Sequence, residues 1–557
     1  MSGATTISSL PAADRLRLAA DPSLGVGNFV HYATRENPNR DEPLIWLERP
    51  TRSLAGDEYE VLSLSALQGI ADQFAAFYHA AGVRPKDPVA VYIEEGVENY
   101  VHLVALTALG AIPVLINSNM KPEVAAEYVR RVGAVGAFLG PTQAAALAPH
   151  LDRERLRFVA TPTSAAAAPQ GPLPENYPYR HAPDDVAVLC HSSGTTGAPK
   201  AVIEQHAQLF AGTRRRLLEH HHSEAERVLS AMPHSHSGGI VFFMISIMSG
   251  VPILLMTDPS ARAVLPAIER FRPTTVVGFN RTFSDLASAD LDAFDLSSVA
   301  RWMNAADTAH EKHIRRLVAR GSHLENGERV PGSTFVDQLG STEMAFALFQ
   351  KNYTKDSNDY GRSIGRPHPI AEAAALDEDG TPLGPGRVGR LGVKAPSVTA
   401  GYWNDSLMTC RSRLNGYWLT GDLVYKDAQG TFFHVDRVGD DITTRTGKVY
   451  SLPTEEVIMQ SHDDVLDCFV VGMRVDDEHA EPVAIAHVRP ESLLDDAALL
   501  ALFNADLRRR DLPPLARVVA AKQAGDWPTG PTGKVVKRWL RDRFDARGQG
   551  AAAGAAR

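Results

Sequence analysis

A chain of 557 residues is too long for one ordinary core and predicts two or more subdomains. Apolar residues at 44% and charged residues at 22% describe a globular protein in water, and the formal charge of −9 (57 basic against 66 acidic side chains) argues against a nucleic-acid partner, which favours basic patches. Cys190, Cys410 and Cys468 lie far apart without paired spacing, which fits a reducing, cytoplasmic setting and neither a disulfide framework nor a zinc site.

The N-terminus lacks a basic start followed by an apolar core, so no secretory signal is expected, and residues 1–27 read as a loosely held leader. A short alternating run at 59–63 precedes an amphipathic helix over 64–81. The strand VAVYIEE (89–95), a helix over 100–109 and the strand PVLIN (113–117) form a strand-helix-strand unit. The alternation continues through GAVGAFLG and RLRFVAT, which predicts an α/β fold with a parallel sheet and crossover helices. Two apolar stretches, 101–116 and 238–256, resemble membrane spans by hydropathy. Gly110 and Pro113 in the first, and Gly250 and Pro252 in the second, divide each into a helix and a short strand, so no membrane span is expected. Residues 164–183, rich in Ala and Pro, read as a linker.

The stretch VLCHSSGTTGAPKAV (188–202) opens an apolar strand into a loop of Ser192, Ser193, Gly194, Thr195, Thr196 and Gly197, followed by Pro199 and Lys200. Glycines let backbone N–H groups turn toward an anion, hydroxyls add donors, and the lysine adds a mobile charge. The common P-loop spacing is not present, and composition alone describes a Ser/Gly/Thr-rich surface turn equally well. In MPHSHSGGIVFF (232–243), His234 and His236 read by themselves as ordinary buried histidines and not as metal ligands, since no carboxylate or cysteine accompanies them at ligand spacing. His220, His221 and His222 read as surface.

Further along come TTVVGFN (274–280), a buried strand; WMNAAD (302–307); FVDQLGSTEM (335–344); SIGRPHP (363–369); VGRLGVKAPSVTAGYWN (388–404); GYWLTGD (416–422); and FFHVDRVGDD (432–441). After that the character changes. TTRTGKVYSLPTEEVI (443–458), apolar strands at 468–473 and 482–488, and a helix over 495–508 suggest a compact α+β unit, which ends near WPTGPTGKVVKRWL (527–540). The Ala/Gly-rich last dozen residues read as disordered. Taken singly, a Thr-Gly-Asp is a turn and an exposed lysine is solvated.

In register, these segments resemble the adenylate-forming superfamily of acyl-CoA synthetases, luciferases and nonribosomal peptide adenylation domains, over residues 60–540, with free-standing acid-CoA ligases as the nearest branch. The resemblance implies a large N-terminal AMP-binding domain of α/β subdomains (1–439) and a small, mobile α+β lid (440–557) carrying the catalytic Lys534. It further implies ATP and Mg²⁺, with CoA as acceptor. The 192–200 loop would hold pyrophosphate through Thr195, Thr196 and Lys200, and Thr196 would add a weak metal contact. Ala305, Asp307, Leu339 and Gly340 fall where the family contacts substrate and adenine. Thr342 would meet the α-phosphate, Glu343 would hold Mg²⁺, Asp422 would accept both ribose hydroxyls, Arg437 would contact ribose or phosphate, and His236 would border the acyl pocket. Asp440 would be the hinge. The chain departs from the pattern at Ala201, where glycine is usual, at Leu339, where tyrosine is usual, at the alanines of WMNAAD, at Asn280-Arg281, where the family often has proline, and in one extra residue between Arg437 and Gly447.

In the implied reaction, a carboxylate attacks the α-phosphate of ATP, and the lid then rotates so that a thiol can reach the adenylate. The polar groups His236 and Asn280 point to a small or aromatic acid. Three activities fit: a free-standing acid-CoA ligase, an adenylation enzyme loading a separate carrier protein, and a diazotase of secondary metabolism that activates nitrite with ATP for an arylamine. The altered residues His234, His236, Arg281 and Leu339 keep the third open. A non-catalytic relative is disfavoured, because Glu343, Asp422, Arg437 and Lys534 are all retained.

Overall fold

The computed structural model describes residues 10–169, 171–192, 199–219, 226–305, 309–325, 328–522 and 535–542. Two large sheets organise the body. In the first, the strands Phe158–Ala160, Gly136–Leu139, Pro88–Tyr92, Ile112–Ile116 and Val186–His191 run parallel in that spatial order, and Ala201–Gln205 closes the edge antiparallel. In the second, Ile45–Arg52, Ile253–Leu255, Val228–Ser230, Thr275–Phe279, Arg301–Ala305 and Thr334–Leu339 form a parallel run. It continues antiparallel through Phe349–Tyr353, Ser363–Pro367, Phe432–Arg437, Tyr417–Lys426, Gly389–Lys394 and Glu372–Leu376. The expected α/β architecture is what the chain forms.

The main core takes side chains from both sheets and from the helices Leu64–Ala80, Val97–Ala108, His206–Glu219 and Ser237–Ser249. A helix as apolar on all sides as Ser237–Ser249 is stable only when enclosed, and Tyr100 stacks on its Phe243 at 4.0 Å. Gly250 ends that helix at φ +67°, a left-handed position that costs glycine little, and the strand Ile253–Leu255 follows. The apolar stretch from residue 101 resolves likewise, into the end of the helix Val97–Ala108 and the strand Ile112–Ile116. No helix of the described residues is long and apolar enough to cross a membrane.

One expectation needs correction. The leader is not loosely held over residues 10–27. The helix Ala12–Ala20 packs on His206–Glu219, and Leu10, Leu18, Leu24 and Val26 are buried. The Arg214 guanidinium donates to the carbonyls of Ala19, Asp21 and Leu24 at 2.5–2.7 Å, which satisfies a helix end that has no partner of its own. The 164–183 stretch leads into the strand Val186–His191, as a linker should, and is tied down along the way. Pro162–Ala167 is a short helix closed by a Thr161–Ser164 capping box. Farther on, Tyr179 N–H donates to Ala108 O at 2.7 Å, and Tyr177 hydroxyl reaches Asp72 at 2.5 Å. Thr161, Ser164, Tyr177 and Tyr179 tie down a stretch whose composition is dominated by alanine and proline.

Toward the C-terminus the strands Val465–Arg474, Ala480–Val488 and Arg517–Ala521 make a separate three-stranded sheet. With the helices Ser451–Ser461 and Asp496–Arg509 it encloses its own core, including Ile458, Phe503 and Val518.

Candidate active site

The phosphate-loop candidate sits between antiparallel strands. Ser192 N–H donates to Lys200 O at 3.0 Å and closes its base. Ser193, Gly194, Thr195, Thr196 and Gly197 lie outside the described residues, as do Asp307, Lys534 and the three histidines at 220–222. At the loop's far end the Lys200 ammonium stands 5.0 Å from the Tyr402 ring centroid. Tyr402 donates its hydroxyl to Glu343 Oε1 at 2.9 Å, and burial, then the Glu343 charge, push that phenol well up. Lys200, Tyr402 and Glu343 are therefore one cluster built from three distant segments. Tyr402 was not singled out from the sequence; its place in the GYWN segment was the available signal.

Thr342, on a short helical turn, is buried, and its hydroxyl lies 3.4 Å from His236 Nε2. His236 caps the helix Ser237–Ser249, with Nδ1 accepting from Gly238 N–H at 3.0 Å. In the neutral ring that acceptor role leaves the proton on Nε2, facing Thr342. Half-buried Glu95 pins the loop before His236: it accepts from His234 N–H at 2.6 Å, Ser235 N–H at 3.1 Å and Ser235 Oγ at 2.5 Å. Burial alone would raise the Glu95 carboxyl; the surrounding His234 and Ser235 groups hold it below the usual range instead.

His236 and Gly340 line one cavity with Ala305, Phe279 and Gln338. The other proposed pocket residues lie elsewhere. His234 is buried against Tyr100, at 5.3 Å between rings, and Arg281 is exposed on the helix Asn280–Ser288. Leu339 packs into the main core, while its chain neighbours Gln338 and Gly340 face the cavity. Strand alternation accounts for that division. Asn280 likewise is not among the lining residues, and Phe279 takes that place. Ala305 precedes the stretch holding Asp307, and Asp337 braces both flanks: it accepts from Asn304 Nδ2 at 2.6 Å and Ala309 N–H at 3.2 Å.

Asp422 and Arg437 are direct partners on adjacent antiparallel strands, with Asp422 Oδ1 3.1 Å from Arg437 Nη1 and 3.4 Å from His434 Nε2. Burial would raise the Asp422 carboxyl, but the Arg437 charge and His434 outweigh it and keep it ionised well below the ordinary range. Gly421 sits at φ +86°, where an added Cβ would come within 3.3 Å of that guanidinium, so the Thr-Gly-Asp order is geometric.

Past this pair, Asp440 N–H donates to Arg437 O at 3.0 Å, and Arg541 Nη2 lies 3.5 Å from Asp440 Oδ1. Asp436 accepts from Ser451 N–H at 2.6 Å and Ser451 Oγ at 2.9 Å, and Lys537 Nζ lies 2.7 Å from Glu455 Oε1. Lys537 thus ties residues 535–542 to the helix Ser451–Ser461; sequence reasoning did not single it out.

Residues 35–403 match the profile of the family described as AMP-binding enzyme, which is most of the chain. The chain belongs to the adenylate-forming superfamily. Membership carries the reaction class, an AMP-forming ligase. Among relatives of this adenylate-forming enzyme is a protein of a Streptomyces species named 3-aminoavenalumate diazotase, 41% identical over 96% of this chain and 99% of that one. A medium/long-chain-fatty-acid–CoA ligase of Mycobacterium tuberculosis is 30% identical over 70% of this chain and 67% of its own. Among solved structures, an anthranilate CoA ligase with anthranoyl-AMP superimposes with a TM-score of 0.81 at 18% identity, covering 97% of this chain and 100% of that one, a likeness of fold.

Proposed function

We propose that this adenylate-forming enzyme is an ATP-dependent diazotase that activates nitrite and passes it to an aromatic amine. The observation that carries the reading is the 41% likeness to the Streptomyces diazotase, which runs nearly end to end in both chains. Read from sequence alone, a free-standing acid-CoA ligase comes first; that end-to-end likeness reverses the order.

The chemistry balances. A nitrite oxygen attacks the α-phosphorus of ATP, expelling diphosphate and leaving a mixed anhydride of AMP and nitrite. The amine nitrogen attacks the nitroso nitrogen, AMP leaves with the bridging oxygen, and a proton is lost. Protonation of the resulting N-nitrosamine and loss of water give the diazonium. Catalysis in the first step is positioning and charge neutralisation. In this reading Asp422 takes the ribose hydroxyls, Arg437 lies beside them, Thr342 meets the α-phosphate, and Lys200 with the 192–197 hydroxyls holds the departing diphosphate. His236, with Nε2–H toward Thr342, borders the nucleophile.

Glu343 suits Mg²⁺: it is a carboxylate with one oxygen oriented by Tyr402, and the described residues contain no group of three or more His, Cys, Asp or Glu that could cage a metal alone. Bound at Glu343, the cation would supply charge neutralisation to the phosphates. We assign residues 1–439 to the nucleotide-binding body and 440–557 to a lid that turns about Asp440, carrying Lys534 toward and away from the α-phosphate.

Purified protein with ATP, Mg²⁺, nitrite and an aminoaryl acid should form AMP and diphosphate in a nitrite-dependent way and yield a diazonium trapped as an azo dye. AMP formation that ignores nitrite and requires a carboxylic acid with CoA would replace this reading by the ligase one, which the Mycobacterium relative favours. Acid-dependent diphosphate release with no CoA turnover would point to carrier-protein loading.

A further inference from the structure

The cavity beside His236 has apolar walls, Met232, Val241, Phe242, Ile245, Phe279 and Phe346, and one charged side chain, Arg216. Arg216 comes from the last turn of the helix His206–Glu219. Its guanidinium lies 5.6 Å from the Phe346 ring centroid, and Nη2 donates to Gln350 Oε1 at 3.3 Å. Gln350 Oε1 also accepts from Gln338 Nε2 at 3.1 Å, so a neutral amide is shared between the arginine and the cavity wall.

Among the described residues no carboxylate lies within ion-pair distance of Arg216. Glu219, the nearest acidic influence, is paired with Arg215 and stands 3.4 Å from His368. Burial accordingly pulls the Arg216 pKa below the ordinary arginine value. A guanidinium in apolar surroundings with only an amide for company is costly, and an anion entering the cavity offsets that cost.

A monocarboxylic acid that is itself adenylated brings its one carboxylate to the α-phosphate and has none left for an arginine in the cavity. An aromatic amine that attacks an activated nitrite brings its nitrogen there, and any carboxylate it carries must be received elsewhere. The fork of an arginine matches a carboxylate in two parallel N–H···O bonds. We propose that Arg216 is a specificity-determining residue, which receives the carboxylate of an amino-substituted aromatic acid and so aims its amine at the reacting end of the cavity. The proposal rests on the diazotase reading.

The test uses the full chain with ATP, Mg²⁺ and nitrite, and two probes: 3-aminocinnamate and its carboxamide, followed by azo-dye trapping and AMP release. Wild-type protein should prefer the acid by roughly 100-fold in kcat/KM, the discrimination expected when a buried polar group loses its partner. Arg216→Gln should bring the ratio close to one by loss on the acid side, mainly through KM, and Arg216→Lys should restore part of it. Unfolding midpoints of both variants establish that they are folded; should Arg216→Gln fail to fold, the Arg216→Lys ratio decides. Equal use of acid and amide by wild-type protein, or an unchanged ratio in the variants, overturns the role of Arg216 while the diazotase reading stands. No nitrite-dependent AMP with either probe overturns both.

Discussion

Glu343 shows how much of this site depends on a single contact. Its carboxylate is oriented by the Tyr402 hydroxyl, and Tyr402 is in turn flanked by Lys200. Glu343→Gln is expected to lower the rate of diphosphate release about 100-fold, since it removes a charge acting on the transition state. Tyr402→Phe leaves the carboxylate in place but unoriented, so a loss of about 10-fold with a raised Mg²⁺ requirement is expected. Both follow from initial rates of diphosphate release against Mg²⁺ concentration; equal, Mg²⁺-independent losses would separate Glu343 from the metal. Glu95 works on another point of the site. It gathers the backbone and hydroxyl of the loop before His236, so Glu95→Ala should lower stability by about 2 kcal/mol in urea unfolding, as for donors left without their acceptor.

Between the body and the C-terminal sheet, contacts run through element ends. Lys312 Nζ donates to the carbonyls of His462, Asp463 and Val465 at 3.2, 3.2 and 2.8 Å, at the C-terminal end of the helix Ser451–Ser461 and just beyond. A cation at that end is favoured by the helix dipole and by the unpaired carbonyls. Any rotation about Asp440 must break these bonds. Lys312→Ala should therefore change the two half-reactions unequally, by about 3- to 10-fold, because it destabilises one lid position and not the other. Asp440→Pro fixes φ and removes the N–H given to Arg437 O. Adenylation should survive this and transfer should fall; rapid-quench measurement of each half-reaction decides, and an equal loss in both removes the hinge from Asp440.

A buried charge cluster, His310, Arg362 and Glu456, joins the body to the C-terminal unit. Glu456 Oε2 lies 2.8 Å from His310 Nδ1 and 3.7 Å from Arg362 Nη1, and Oε1 accepts Glu311 N–H at 3.1 Å. Burial would raise this carboxyl, but the adjoining His310 ring and the Arg362 guanidinium bring it from 4.5 down to about 2. A depressed folded-state pKa means the stabilisation is complete above pH 4.5 and is lost as pH falls toward about 2. Acid unfolding should accordingly begin below pH 4.5, and Glu456→Gln, already without that charge, should be less stable at pH 7 and flatter across this window; a parallel pH profile would show the cluster to be inert.

The linear chain settled what depends on local chemistry. Apolar runs broken by Gly and Pro pointed to helix-strand units at 101–116 and 238–256, which form over 97–116 and 237–255, and the ordered motifs pointed to the superfamily. It could not show which side chains share a cavity. His236 and Arg216 are 20 positions apart, one capping a helix and the other in the last turn of another, yet they line one space, whereas Leu339 differs in fate from its strand neighbour Gln338 because a strand alternates its faces. The packing of residues 10–27, the Glu95 bracket and the Lys537 anchor likewise depend on partners far away in the chain. Local composition carries no record of a partner that is brought near only when the sheets assemble, so those decisions belong to the tertiary structure.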